Sequence, residues 1–133
     1  MPSADFFTFL HASLSVLAKE ESEAHSALVA AFGPLRARLV ADGVAASIWL
    51  DSSEWTIYRG STNADLEVAF NRPIILDLID GRLTMHDAIN RERLKLRGSP
   101  EAIECFYDAL TIYLEGLMRA PGALAILKDY REG

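Results

Sequence analysis

The feature that most constrains the fold is a change in the period of the apolar residues along the chain. The period is helical near the N-terminus, strand-like in three short segments between residues 45 and 70, and helical again afterwards. Strands clustered between helices are typical of an α+β fold with helices on one face of the sheet. We therefore predict a sheet of about four to five strands, antiparallel or mixed, covered on one face by helices and preceded by an N-terminal helical extension.

The N-terminal part is predicted to be helical. Apolar side chains recur at helical spacing from Ala4 to Leu17, and Ser3 can cap the start of this helix. Residues 24–32 are rich in alanine, the best helix former. Leu35, Leu39 and Val40 continue a helical face, which Asp42-Gly43 ends.

The next part is predicted to be an antiparallel meander. Residues 45–50, 54–59 and 65–70 contain aromatic and β-branched residues or alternate between polar and apolar ones. Two segments between them, Asp51-Ser52-Ser53 and 60–63, have the composition of turns. Because the connections are short, consecutive strands are expected to pair with each other.

The second half is predicted to be mostly helical. Pro73 stands in the first turn of a helix that Gly81 ends, and Thr84 can cap a second short helix. A short alternating strand, 94–98, precedes the strong helix start Ser99-Pro100-Glu101. The long helix that follows runs to Met118, and 124–127 adds one or two amphipathic turns.

Length, charge and cysteine content exclude several classes of protein. The 133 residues fit one domain, which we divide into N-terminal helices over 1–43 and a sheet with C-terminal helices over 44–133. The net charge of −6 argues against nucleic acid as a partner, since phosphate needs a positive face. A single cysteine and the absence of a signal peptide or an apolar span favour a cytoplasmic protein without stable membrane insertion.

A series of short runs resembles a known family. These runs are Ala64-Asp65-Leu66-Glu67-Val68, Asp80-Gly81-Arg82-Leu83-Thr84, Asp87-Ala88-Ile89 and Arg93-Leu94-Lys95-Leu96-Arg97-Gly98-Ser99. Their order is similar to that of the sterol carrier protein 2-like family, over the part of the chain from Ala45 to Met118. Two positions differ: Glu92 stands where the family has a glycine, and Ser99 where it has an aspartate.

The resemblance implies a fold and a class of ligand. Lipid-binding members of the family have an apolar tunnel between sheet and helices and bind sterols, fatty acids or acyl-CoA without chemistry. Other members are modules of larger enzymes and need not bind lipid. The resemblance therefore implies non-catalytic binding or transfer of a small hydrophobic ligand, such as a lipid, an acyl chain or a polycyclic metabolite.

Few residues of the sequence suggest a catalytic or metal-binding role. His11, His25 and His86 lie far apart without ligand-spaced partners, so we expect no metal site, and no cofactor motif is present. Cys105 is interpreted as a small buried hydrophobe, and the many carboxylates as solvated helix faces. We therefore expect no enzyme; an enzyme that uses Cys105 or a carboxylate pair is the third hypothesis.

The apolar face of the long helix is wider than one contact needs, because Tyr107 and Tyr113 diverge from Leu110. This surplus is core packing, an oligomer interface or the wall of a ligand cavity, and a cavity of about 300 Å³ or more between sheet and helices would identify the last of these. The predicted wall consists of Trp55, Phe70, Ile75, Leu78, Phe106, Leu110 and Leu114. The alternative is a structural or regulatory module, a homodimer or accessory subunit, that uses the N-terminal helices and the apolar last helix without bound lipid.

Overall fold

The computed structural model describes residues 5–60 and 63–132, and these form six helices and five strands. The elements in chain order are α1 (Phe6–Glu20), α2 (Ser22–Phe32), β1 (Ala37–Ala41), β2 (Val44–Asp51), β3 (Glu54–Arg59), β4 (Leu66–Phe70), α3 (Arg72–Ile79), α4 (Met85–Asn90), β5 (Lys95–Gly98), α5 (Pro100–Arg119) and α6 (Ala123–Glu132). The predicted α+β class is confirmed.

The five strands form one mixed sheet in the order β3-β2-β1-β4-β5. All neighbouring strands are antiparallel except β1 and β4, which are parallel. We call the face that packs against the helices the inner face and the opposite one the outer face. Along β1 the inner residues Ala37, Leu39 and Ala41 are buried, whereas Arg38 and Val40 on the outer face are half-buried.

One prediction is wrong at β1. Residues 37–41 form a strand in the middle of the sheet, where we expected the continuation of a helix up to Asp42. Asp42 and Gly43 have φ of 52° and 82°, the left-handed conformation of a two-residue hairpin turn, and they join β1 to β2. Asp-Gly between alternating apolar residues is a strong hairpin signal, and it stands here in the sequence.

The predicted antiparallel meander is also wrong in its third strand. β2 and β3 form a hairpin through the two-residue turn Ser52-Ser53, but β4 does not pair with β3. Instead β4 lies parallel to β1, with Leu66 beside Ala37 and Val68 beside Leu39. This position places the side chains of Leu66 and Val68 in the centre of the inner face, where they are 1% and 0% exposed.

Two helix starts have the caps that the sequence predicts, Thr84 and Ser99, and Asn71 adds a cap at the start of α3. The side chains of Asn71, Thr84 and Ser99 accept hydrogen bonds from backbone N–H groups at 3.2, 3.1 and 3.1 Å and so cap α3, α4 and α5. Asp5 caps α1 in the same way. The predicted cap Ser3, and Ser61 and Thr62 of the predicted second turn, lie outside the described residues.

The helices form a layer on the inner face, and close packing holds α5 against the first two helices. A Cβ on Gly116 would lie 2.7 Å from Leu17 Cδ2 and 3.3 Å from Ala24 Cβ, so a larger residue here would have to displace the Leu17 side chain. α6 packs on α1, where the rings of Phe9 and Tyr130 stack with centroids 4.5 Å apart. Within the described part, no single helix has the length and apolar character of a membrane crossing; α5 and α6 reach it only together, across a bend of 105°.

Candidate functional site

An apolar pocket of about 60 Å³ lies between the inner face of the sheet and the helical layer. Its walls come from α1, α2, α3 and α5 on one side and from four strands on the other. Ile48 and Leu39 form the floor on the sheet, and Leu94, which precedes β5, closes one side. The pocket is much smaller than the cavity of about 300 Å³ or more that holds a drug-sized ligand.

Five of the seven predicted wall residues meet in this pocket. They are Trp55, Phe70, Ile75, Phe106 and Leu110. The other two predicted residues, Leu78 and Leu114, lie one helical turn beyond Ile75 and Leu110 and line a different groove. This groove has a volume of about 260 Å³ and runs along the outside of α5.

Sequence reasoning missed the second wall of the pocket. It consists of Phe6, Leu10 and Leu14 on α1 and of Leu28 and Phe32 on α2. Their helical spacing was visible in the sequence, but spacing alone does not tell which element a helix faces. With this second wall, the N-terminal helices belong to the same pocket as α5.

Two buried hydroxyl groups lie beside the pocket and form a hydrogen bond with each other. Ser13 Oγ and the hydroxyl of Tyr113 are 2.6 Å apart, and Ser13 Oγ also donates to the carbonyl of Leu10 at 2.9 Å. Because Ser13 uses its proton there, the Tyr113 hydroxyl donates to Ser13. Burial raises the pKa of Tyr113 well above its ordinary value, so it stays neutral. The walls therefore offer apolar contact, not a partner for a polar head.

Access to the pocket lies at two half-buried aromatic side chains. Among the residues that line it in the described ranges, Trp55 and Phe70 alone are not fully buried. Trp55 stands near the start of β3 and Phe70 at the end of β4, so they mark opposite ends. The indole N–H of Trp55 donates to His25 Nε2 at 3.0 Å, and burial lowers the pKa of His25, which favours the neutral ring that can accept.

Two groups that could carry out chemistry, Cys105 and His86, contact a backbone carbonyl and an amide side chain respectively. Cys105 Sγ lies 2.9 Å from the carbonyl oxygen of Ala31, and burial, aided by the charge of Asp108, raises its pKa. A thiol with a raised pKa is a poor nucleophile at neutral pH. His86 bonds to Asn90 on the protein surface. In the described ranges no three His, Cys, Asp or Glu side chains form a group that could hold a metal ion.

Comparisons with solved structures identify the fold. A conserved hypothetical protein from Thermus thermophilus, described as a possible sterol carrier protein, matches with a TM-score of 0.60 and 20% identity over 90% of this chain and 92% of that one. Sterol carrier protein 2 matches with a TM-score of 0.60 and 18% identity over 87% of this chain and 99% of that one.

A piece of a larger enzyme gives a partial match. A sec-alkylsulfatase from Pseudomonas sp. aligns at 22% identity over 55% of this chain, with a TM-score of 0.46. This chain spans 12% of the length of that enzyme. No family model and no curated protein matches the sequence. The whole-length structural matches, together with the five-stranded sheet and its helical layer, show that this chain has the sterol carrier protein 2-like fold.

Proposed function

We propose that this chain binds a small hydrophobic molecule, or the apolar part of a lipid, in the pocket between the sheet and the helices. The observation that carries the proposal is the pocket itself, which is lined by apolar side chains from helices and strands alike. A pocket lined by apolar groups favours a ligand through the removal of its surface from water. A cytoplasmic location and a non-catalytic role are part of the same proposal.

The volume of the pocket sets a condition on this binding. A single water needs about 10–15 Å³, so about 60 Å³ has room for only a few atoms of a lipid. An acyl chain can enter only if side chains of the wall move. The half-buried rings of Trp55 and Phe70 are the side chains with space to turn outward, because one side of each already faces solvent.

The expected affinity is modest. Burial of roughly 300 Å² of apolar ligand surface contributes about 7 kcal/mol before the cost of association is subtracted. Since about −8 kcal/mol corresponds to 1 µM, this contribution implies a dissociation constant well above 1 µM once the cost of association is subtracted. Rearrangement of the wall lowers the affinity further.

The test is a titration with a fluorescent fatty acid and a fluorescent sterol, followed by tryptophan emission. Trp49 is on the outer face, so the Trp49→Phe protein reports Trp55 alone. We expect a saturable change at concentrations from about ten micromolar upwards. Read from the emission of the bound probe, Leu110→Trp, which fills the pocket, should weaken binding at least tenfold, whereas Leu124→Trp at a position 75% exposed should not. Absence of a saturable signal with either probe, or equal binding by both variants, would show the proposal to be wrong.

A docking module without bound lipid is the second candidate function. It is favoured by the groove along α5, where Tyr107 and Met118 are 38% and 68% exposed beside Leu78, Leu83 and Leu114. Large exposed apolar side chains around a groove are typical of a site for another protein. Failure of the lipid titrations, with a natural partner that binds the wild-type chain but not Met118→Glu, would favour this candidate.

A further inference from the structure

Trp55 lines the pocket at the edge of the sheet. Its strand, β3, is the outermost one, so the sheet continues on one side of it only, where Leu50 of β2 lies opposite. The side chain of Trp55 is half-buried. A side chain in this position can turn outwards by rotation about its χ angles, without a change in the backbone. The orientation of one ring therefore decides whether this end of the pocket is closed.

Two side chains of α2 hold the Trp55 indole in its inward orientation. Phe32 contacts it edge-on, with ring centroids 5.1 Å apart and an angle of 74° between the planes. His25 lies seven residues earlier, on the same face of α2, and its Nε2 accepts a hydrogen bond of 3.0 Å from the indole N–H. Within residues 5–60 and 63–132 this is the one hydrogen bond of the indole.

The hydrogen bond between Trp55 and His25 exists only while the imidazole is neutral. An indole N–H is a donor and never an acceptor, so its partner must offer a lone pair. A neutral imidazole with its proton on Nδ1 has this lone pair on Nε2, whereas an imidazolium carries an N–H group at both ring nitrogens. Protonation of His25 therefore replaces the bond by two donors facing each other at 3.0 Å, and the two rings must separate.

The surroundings of His25 favour its neutral form in this arrangement. Burial lowers the pKa of His25 below its usual 6.5. The charged groups on α2 and on the elements around it are Lys19 on α1, Glu21 on α2, Glu54 on β3, and Asp108 and Arg119 on α5. Burial, and none of these charges, causes the lowered pKa. Because a solvated imidazole keeps its ordinary pKa, acid favours an arrangement in which His25 and Trp55 have moved apart.

We propose that the hydrogen bond between Trp55 and His25 is a pH-sensitive latch on this end of the pocket. At neutral pH the latch holds the indole against Phe32, and the wall is closed. In acid His25 takes up a proton, the bond breaks and the indole turns outwards. The opposite end, at Phe70, lacks such a latch because a phenyl ring has no polar group. The inference rests on the proposed function only in that the open pocket takes up a ligand.

The first measurement uses no ligand and follows quenching of Trp55 by acrylamide in the Trp49→Phe protein. Between about pH 8 and about pH 5 the quenching constant should rise about twofold or more, in one step below pH 6.5. The ion pair of Asp5 with Arg59 persists over this range, since the pKa of Asp5 is about 2.

Two variants at His25 separate the latch from other effects of acid. His25→Gln supplies an amide oxygen that accepts a hydrogen bond and does not titrate, so Trp55 should stay protected at every pH. His25→Leu has no acceptor, so Trp55 should be quenched at about pH 8 as strongly as the wild-type residue is in acid. The control variant, His11→Gln with His86→Gln, removes the other two histidines and should keep the wild-type pH dependence.

The second measurement follows the association of a fluorescent sterol by stopped flow. A sterol is uncharged, so the probe itself does not titrate. Its association rate constant should rise severalfold from about pH 8 to about pH 5 in the wild type, and should not change with pH in His25→Gln. In His25→Leu the rate constant should be high at both pH values.

Several results would overturn the latch. Quenching of Trp55 that does not depend on pH in the wild type is one, and an equal pH dependence in His25→Gln is another. A third is His25→Leu protein in which Trp55 is as protected at neutral pH as in the wild type. Stronger quenching in acid without faster sterol association would show that ligands do not enter at Trp55. If no lipid probe binds at any pH, the proposed function fails, and the quenching data alone decide whether the latch exists.

Discussion

The two faces of the sheet are built from the same strands and differ in almost every physical property. The inner face presents Leu39, Ile48 and Val68, which are at most 5% exposed and pack against the helices. The outer face presents the alternate residues, with charges at its edges and small or half-buried side chains in its centre. Because successive side chains of a strand point to opposite faces, one strand sequence specifies both faces of the sheet. Residues of the inner face stabilise the fold by their burial, whereas residues of the outer face can be substituted without unfolding the chain.

The largest expected effect is on the inner side, in Phe106→Ala. Phe106 is 7% exposed and lines the pocket, so its loss removes apolar contacts and leaves a larger void. We expect the free energy of unfolding to fall by about 3–5 kcal/mol, as measured by urea denaturation. Tyr58→Ala on the outer face, at 51% exposure, is the matched control and should change it by about 0.5 kcal/mol or less. Equal losses in the two variants would contradict the contrast between the faces.

A smaller loss of stability is expected from Gly98→Ala at the inner side of β5. The added Cβ would lie 2.7 Å from the carbonyl oxygen of Asp65 and 2.9 Å from Leu66 Cδ1. The first of these atoms is backbone and can move only with the strand, so we expect a loss of about 1–3 kcal/mol in thermal or urea unfolding. The neighbouring change Arg97→Ala points to the outer face and should cost little. If Gly98→Ala is as stable as wild type, β4 and β5 are not as close as described.

A gain in stability is expected from Glu92→Gly, at a position that belongs to neither face of the sheet. Glu92 has φ of 57°, in the left-handed region that favours glycine, and it occupies the position where the family to which the sequence shows a resemblance has glycine. Relief of this conformation should stabilise the chain by about 1 kcal/mol, measured as a shift of the urea midpoint at an unchanged slope. Glu92→Ala, which keeps the Cβ, should not give this gain; a loss of stability in the glycine variant would count against the described turn.

The smallest expected effect on stability depends on pH and comes from the ion pair between Asp5 and Arg59 at the edge of the inner face. The ion pair with Arg59, together with the N–H of Thr8, holds the pKa of Asp5 at about 2, below its usual 3.8. A carboxyl group whose pKa is lower in the folded state than in the unfolded state stabilises the fold at any pH above its unfolded-state pKa. This contribution to the free energy of unfolding is lost as the pH falls from about 4 to 2. Since the two side chains are 32% and 50% exposed, we expect about 1 kcal/mol or less.

Asp5→Asn tests this pH effect, because asparagine keeps the cap of α1 and removes the charge. The difference in unfolding free energy between wild type and Asp5→Asn should shrink towards zero as the pH approaches 2. A difference that stays constant from neutral pH to that value would show that the ion pair with Arg59 contributes nothing.

Local signals were sufficient for most helices and for the hairpin strands. Ser99 and Pro100 place the start of α5 correctly, and Pro73 and Thr84 do the same for α3 and α4. These signals work because a cap needs only a side chain and the N–H groups three residues on. The strand β1 was missed, since Leu35, Leu39 and Val40 also satisfy a helical spacing and the Asp42-Gly43 turn was interpreted as a helix end.

Sequence reasoning predicted only one of the two walls of the pocket. Phe106 and Leu110 follow from the surplus apolar face of α5, and Trp55 and Phe70 from the alternation of β3 and β4. Leu78 and Leu114 were assigned to the same wall because helical spacing does not resolve where one contact ends and the next begins. The contribution of α1 and α2 depends on how these helices pack across the sheet, which no local pattern contains.

By itself the sequence determined the class of fold, the starts of α3, α4 and α5 and the alternation that divides each strand between two faces, because these signals lie in residues a few positions apart. The tertiary structure alone decided that β4 lies beside β1, that the N-terminal helices close the pocket, and that the pocket has about 60 Å³. It also brought Asp51 and Glu54 of the β2–β3 hairpin onto the same face as Lys95 and Arg97 of β5. Such pairings join residues tens of positions apart, and their register is set by what fills the core rather than by local propensity.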